Sequence, residues 1–188
     1  WPETVSVGQL TYFAAACGLG VALLEASLAK TVRAIPRAIA MWMVAVTLNE
    51  LLTNCFKFYC GILRPNFYAG CGFSDVELRC LNPHTDFLHK SFPSGHSSHA
   101  WASATMLTWR ILASFQQERG GSALTAAAKA LLAPLPCAVA GFIACSRVHD
   151  NWHHPADVVA GSALGAAIAS GVHAFAWPRP EYPHHLLE

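Results

Sequence analysis

Charge is what this sequence has least of. Lysine, arginine, aspartate and glutamate make up 12% of its 188 residues, about half the share usual for a soluble domain. The 12 basic and 11 acidic residues nearly cancel, leaving a formal net charge of +1, so a nucleic-acid partner is not indicated. Linkers, internal repeats and low-complexity tracts are also missing, and the length fits one domain, residues 1–188. There is no Asn-x-Ser/Thr sequon, no HExxH motif and no signal-peptide pattern. The chain begins at Trp1 without Met, as a fragment or a processed form would. None of its seven cysteines is spaced as a metal knuckle. Cys17, Cys55, Cys137 and Cys145 sit in apolar runs, where thiols act as small buried hydrophobes. Cys71 and Cys80 lie in the longest polar loop. A disulfide there fits a non-cytosolic compartment; two free thiols are the alternative.

Apolar sequence is abundant instead, at 54% of residues. A membrane span needs roughly 20 mainly apolar residues. Five stretches qualify: Val7–Ala29, Arg37–Tyr59, Ser97–Phe115, Ala130–Arg147 and Val158–Trp177. The expected fold is therefore all-α, a polytopic bundle of transmembrane helices. The third stretch is the weakest, being rich in Ser, Thr and His with Arg110 near one end. The fourth contains Pro134 and Pro136, tolerable where neighbouring helices satisfy the freed carbonyls. The fifth carries Gly161 and Gly165 among Ala and Ser, read as ordinary small-residue packing rather than a dimer signal.

Threading five spans assigns the loops to two sides. Lys30, Arg33, Arg37, Arg119, Lys129 and Arg179 fall on one side, against Glu118, Glu181 and Glu188. The other side holds Glu3, Asp75, Glu77, Asp86 and Asp150 against Arg79 and Lys90, once the motif residues below are set aside. The positive-inside rule makes the first side cytoplasmic.

Three polar clusters then share the outer side, extracellular or lumenal. "KFYCGILRP" closes the second span, "FPSGH" opens the third, and "SRVHDNWHHPAD" joins the fourth to the fifth. Together they read as a phosphate site. Lys57 supplies a point charge, and Arg64 and Arg147 supply planar forks that match phosphate oxygens. Ser94 and Gly95 precede a helix start, where free N–H groups favour an anion. A lone cation at a span end more often snorkels; three on one face with a Ser-Gly helix start argue otherwise.

The histidines supply what a phosphate cradle lacks. A neutral imidazole can attack phosphorus when a carboxylate holds its other N–H. His153 is four residues before Asp157 and His154 three, so either can share a face with it. His149 is eight residues away across Pro155 and is the weaker partner. Spacing leaves His153 and His154 both open. Zinc held by His149, His153, His96 and His99 is the rival reading, but zinc has little need of three cations beside it.

The order Lys57…Arg64-Pro65, Pro93-Ser94-Gly95-His96, Ser146-Arg147…His153…Asp157 resembles the type 2 phosphatidic acid phosphatase superfamily. The flanking text "GILRPNF", "PSGHSS" and "SRVHDNWHHPADVVAG" is most similar to its integral-membrane lipid phosphate phosphatases, over about residues 47 to 170. The resemblance implies a catalytic trio: His153 as nucleophile forming a phosphohistidine, Asp157 orienting it, His96 protonating the leaving alkoxide and then activating water. It implies that Lys57, Arg64, Arg147, Ser94 and Gly95 hold the phosphate, with no metal and no cofactor. It also requires environments that separate the pKa values of His96 and His153. Six spans are usual in that family, so Val7–Ala29 corresponds to its second and the first is absent here.

The expected activity is hydrolysis of lipid phosphate monoesters, among them phosphatidate, lysophosphatidate, sphingoid-base phosphate and diacylglycerol pyrophosphate. A polyprenyl diphosphate phosphatase would use the same residues, and a catalytically silent scaffold of the same fold is the non-enzyme alternative. The expected partners are the lipid substrate and the bilayer; homo-oligomerisation stays open.

Overall fold

A computed structural model describes residues 3–82, 85–117 and 123–177. Arg119, Glu118, Arg179, Glu181 and Glu188 of the charge count above lie outside the described residues. The chain is a helical bundle, and its element boundaries follow from local chemistry.

Helix α1 covers Val7–Ala29. It opens on a reciprocal cap, in which Ser6 Oγ accepts from the Gln9 amide and Gln9 Oε1 accepts from the Ser6 amide. Helix α2, Ile35–Cys60, has Pro36 in its first turn, where a missing N–H costs nothing. It stops at Gly61, whose φ of 59° is left-handed. A short helix α3, Phe67–Cys71, leads into the two-residue strands β1, Phe73–Ser74, and β2, Arg79–Cys80. This antiparallel pair is closed by a Cys71–Cys80 disulfide with Cα atoms 5.1 Å apart. Helices α4, α5, α6 and α7 then cover Gly95–Gln117, Ala123–Leu132, Leu135–His149 and Pro155–Ala176.

Among the described residues, four stretches are long and apolar enough to cross a membrane: Val7–Ala29, Val32–Cys60, Ala130–His149 and Pro155–Ala176. Their surfaces are inverted relative to a soluble protein. Leu19, Leu23, Val44, Leu48, Phe142, Val159 and Phe175 face outward, whereas small residues such as Ala14, Ala22, Ala38, Ala45 and Ala140 fill the interior. The expected fourth span is broken by a turn at Ala133 and Pro134, so α5 and α6 are separate helices.

The expected third span is the exception on composition. Helix α4 is as long as α1, yet too polar to be counted with the other four. The reason is its position. It packs against α7 most extensively and against α1, α6 and α2 as well. Its polar side chains are therefore turned to protein, not lipid. Ser97, Ser98 and Ser103 are fully buried. Asn49 Nδ2 donates to Ser98 Oγ at 3.2 Å, and Thr53 Oγ1 lies 3.0 Å from the same oxygen, joining α2 to α4 inside the bundle.

The glycine pair on α7 serves that packing. A Cβ on Gly161 would sit 2.5 Å from the Ser94 carbonyl oxygen, and one on Gly165 would collide with the Ser98 carbonyl. Hydrogen is the only side chain that lets α7 lie so close to α4 at these positions. Ordinary small-residue packing is the role the structure gives them.

The two ends of the bundle differ. At one, Glu25 of α1 pairs with Arg110 of α4, whose guanidinium lies 4.5 Å over the Trp177 ring, and Arg37 of α2 donates to the Ala176 carbonyl. At the other end lie the start of α1, the end of α2, the start of α4, the end of α6 and the start of α7. All three polar clusters meet there.

Candidate active site

A cavity of about 450 Å³ opens at that second end. Lys57, Arg64, His96, Arg147, His153 and Gly95 line it, together with Glu3, Glu50, His99 and Trp152. Sequence reasoning assigned the first six to the site; it named His99 only as a rival zinc ligand and Glu3 only as an outer-side acid, and it gave Glu50 and Trp152 no role.

Each cation arrives differently. Lys57 is on the last turn of α2 and donates to the Lys90 carbonyl at 2.9 Å. Arg64 lies past the end of α2, which stops at Gly61. Two backbone bonds place it, Arg64 N to Leu88 O at 2.8 Å and Ser91 N to Ile62 O at 2.9 Å, which run the first two motif stretches side by side. Its guanidinium lies 5.0 Å over the Trp152 ring. Burial draws the Arg64 pKa below its usual range. Arg147 ends α6 with a side chain only 1% exposed. Asp150 accepts from its Nη2 at 3.1 Å, and Glu3 Oε1 is 3.7 Å from its Nη1.

Asp150 also ties the segment before α1 across the cavity edge. Its carboxylate accepts from the Thr4 amide at 2.7 Å and from the Thr4 hydroxyl at 2.6 Å. Burial alone would raise this carboxyl; the Thr4 bonds, His149 and Arg147 outweigh it and hold the pKa at about 2. The sequence showed Asp150 only as one acid in a cluster.

The three histidines of "SRVHDNWHHPAD" part company. His149 points away with its side chain 85% exposed. His154 is exposed and its Nε2 lies 3.1 Å from the Leu63 carbonyl. His153 is buried against the cavity. Its Nδ1 is 3.7 Å from Asp157 Oδ2, too long for a hydrogen bond. Ser91 fills the gap, donating to Asp157 Oδ2 at 2.6 Å while its Oγ sits 3.4 Å from His153 Nδ1. Asp157 Oδ2 also accepts from the His154 amide at 2.9 Å, which fixes the start of α7. Ser91 lies immediately before the "FPSGH" stretch, and no spacing rule singles it out.

The Ser94–Gly95 pair is a partial correction. Gly95 lines the cavity. Ser94 is fully buried and its amide, expected to face an anion, donates to the Asp157 carbonyl at 2.9 Å. Its hydroxyl accepts from Ser97 Oγ at 3.0 Å. Ser94 docks the start of α4 onto α7 and does not present an N–H to the cavity.

The electrostatics also differ from the expectation. Burial, partly offset by Asp157 and reinforced by Arg64 and Lys57, pushes the His153 pKa down to about 4. His96, ahead of the expected third span, is pushed to about 4 as well, by burial and then by Arg147. The two rings are not separated; both are neutral near pH 7. Buried atoms without a hydrogen-bond partner include His96 Nε2 and Arg64 Nε. Both belong to residues that line the cavity.

Lipid-facing helices around a polar central one, with a cationic, histidine-bearing cavity at one end, define a helical membrane protein built to receive an anion. Residues 37–181 match the PAP2 superfamily, and the chain belongs to it. It is similar to "Lipid phosphate phosphatase 1" of Arabidopsis thaliana, 31% identical over 147 residues, covering 73% of this chain and 44% of that protein. "Probable lipid phosphate phosphatase 4" of the same plant is 34% identical over 142 residues, 69% of this chain and 45% of the relative. "Diacylglycerol pyrophosphate phosphatase 1" of Saccharomyces cerevisiae is 31% identical over 133 residues, 64% of this chain and 45% of the relative. The chain spans about half the length of these curated relatives. No solved structure matches it.

Proposed function

We propose that this chain hydrolyses phosphate monoesters of lipids through a phosphohistidine on His153. The convergence of Lys57, Arg64, Arg147, His96 and His153 on one cavity at the end of a lipid-facing bundle carries this reading. The names of the relatives support it.

The cations hold the phosphate oxygens, and charge developing on them during transfer is stabilised without reorganisation. His153 attacks through Nε2. With the Ser91 hydroxyl donated to Asp157, its oxygen lone pairs face His153 Nδ1, which then carries the proton. That leaves the Nε2 lone pair for phosphorus. As the P–N bond forms, the bond from phosphorus to the alkoxide oxygen breaks, and His96 gives that oxygen its proton. Water then attacks phosphorus, His96 takes the water proton, and the P–N bond breaks to release phosphate and neutral His153. A bound phosphate supplies the negative charge that restores proton affinity to His96.

The test is phosphate release from a panel of lipid phosphates with EDTA present. Wild type stays active, His153→Ala is inactive, and vanadate inhibits as a mimic of pentacoordinate phosphorus. Full activity in His153→Ala or loss with EDTA overturns the mechanism.

The site faces away from the cytosol in this reading. The Cys71–Cys80 disulfide beside it and the excess of Lys and Arg expected on the opposite side support that orientation. In sealed right-side-out vesicles, a membrane-impermeant maleimide labels Cys71 and Cys80 after external reduction. Labelling only after permeabilisation reverses the orientation.

A further inference from the structure

The phosphatase reading leaves two ionisable residues on the cavity wall without a task, Glu50 and His99. They face one another, with His99 Nδ1 3.8 Å from Glu50 Oε2. Asn54 Nδ2 donates to Glu50 Oε1 at 2.8 Å and anchors the carboxylate.

Their depth is informative. Helix α2 runs towards the site and α4 runs away from it. Glu50 is seven residues before Lys57, about 10 Å further into the bundle, and His99 is three after His96, about 4.5 Å. The pair therefore lies on the bilayer side of the phosphate end. An amphiphile with its phosphate among the cations and its hydrocarbon in the membrane passes its neck through this stretch. Val7 and Leu10 of α1 supply the apolar wall a plain hydrocarbon neck would want. A carboxylate at this depth of a membrane helix is costly and calls for a function.

We propose that Glu50 and His99 read a polar neck on the substrate, the hydrogen-bonding groups that join phosphate to hydrocarbon in glycerol- and sphingoid-based lipids and that isoprenyl phosphates lack. Glu50 accepts from a neck hydroxyl or ammonium. His99, with its Nδ1 proton turned to the carboxylate, accepts through Nε2 from a neck hydroxyl or ammonium. The inference rests on the lipid phosphatase reading and narrows its substrate class.

The experiment measures kcat/KM for lysophosphatidate, sphingosine phosphate and farnesyl phosphate in one detergent, for wild type, Glu50→Ala and His99→Leu. Wild type prefers the two polar-necked substrates. Each substitution lowers the ratio of polar-necked to farnesyl turnover by about tenfold, the worth of a hydrogen bond to a charged partner. A fall for lysophosphatidate alone assigns the pair to a glycerol neck, and a fall for sphingosine phosphate alone assigns it to an ammonium; either supports the proposal. A ratio that does not move, or a wild type that prefers farnesyl phosphate, overturns it. Should both variants lose all turnover, Asn54→Ala, which frees the carboxylate without removing it, shifts the same ratio in the same direction or overturns the proposal. A wild type inactive on all three substrates overturns the phosphatase reading instead.

Discussion

The Ser91 hydroxyl lies 2.6 Å from Asp157 Oδ2 and 3.4 Å from His153 Nδ1, while the carboxylate and the imidazole are 3.7 Å apart. Asp157 thus acts on His153 through a serine from a different segment of the chain. Ser91→Ala removes the bridge and leaves the imidazole and the carboxylate in place. The expected result is a fall in kcat of about tenfold or more with KM little changed, as for a lost hydrogen bond to a buried charge. Ser91→Thr keeps the hydroxyl and restores turnover; equal losses in both variants would point to packing instead.

Folding keeps His153 neutral, which fixes a pH dependence. Its pKa falls from 6.5 to about 4 on burial, so between those values the unfolded chain binds a proton that the folded one refuses. Stability from this group is full above pH 6.5 and declines as pH falls towards 4, by on the order of 3 kcal/mol at most. Thermal unfolding in detergent at pH 7 and pH 4.5 checks this. The wild type loses more than His153→Asn does over the same interval.

Glu3 sets an acid against the phosphate site. Its Oε1 is 3.7 Å from Arg147 Nη1, and it lines the cavity. Glu3→Gln removes that charge and leaves the Thr4–Asp150 tether intact. Vanadate then inhibits at about threefold lower concentration, a modest gain because Glu3 is partly exposed and screened. The inhibition constant at low ionic strength is the measurement; a weaker inhibitor would show that Glu3 positions Arg147 more than it competes.

Gly165→Ala drives a methyl group into the Ser98 carbonyl, and Gly161→Ala drives one into the Ser94 carbonyl. Backbone on both sides leaves little room to adjust, so each costs about 1–3 kcal/mol. Only Gly161 abuts the start of α4 beside Gly95 and His96. Its variant should lose turnover at temperatures where the Gly165 variant, comparably destabilised, still works. Thermal midpoints read together with kcat separate the two.

Much of this was legible in the sequence. The apolar runs located the helices, and α1 has the bounds the run predicted, Val7–Ala29. Counting crossings put Lys57, His96 and Arg147 at one end without any knowledge of packing. Helical spacing could not choose between His153 and His154, because both fall within reach of Asp157. The turn that precedes α7 parts them: His154 donates its amide to Asp157 and turns its ring to Leu63, while His153 lines the cavity. Ser91, Asp150 with Thr4, and Glu50 with His99 were not legible. Their roles come from contacts across 49 to 146 positions of chain for all but the local ones. A short-range pattern carries no record of such contacts. The Ser94 amide was misjudged for the same reason, since its partner is a carbonyl on α7.

The burial of α4 reaches beyond the finished molecule. A helix whose buried serines and Arg110 are sheltered from lipid by neighbouring helices has little affinity for lipid alone. During synthesis α1 and α2 emerge before it, and α7, which supplies its most extensive contact, emerges after it. His96 therefore enters the membrane on a helix that is held from one side until the glycine face of α7 arrives. The site comes together when α7 arrives. Truncation within α7 should then cost more than the residues removed, because it leaves α4 as a polar helix with half its shelter.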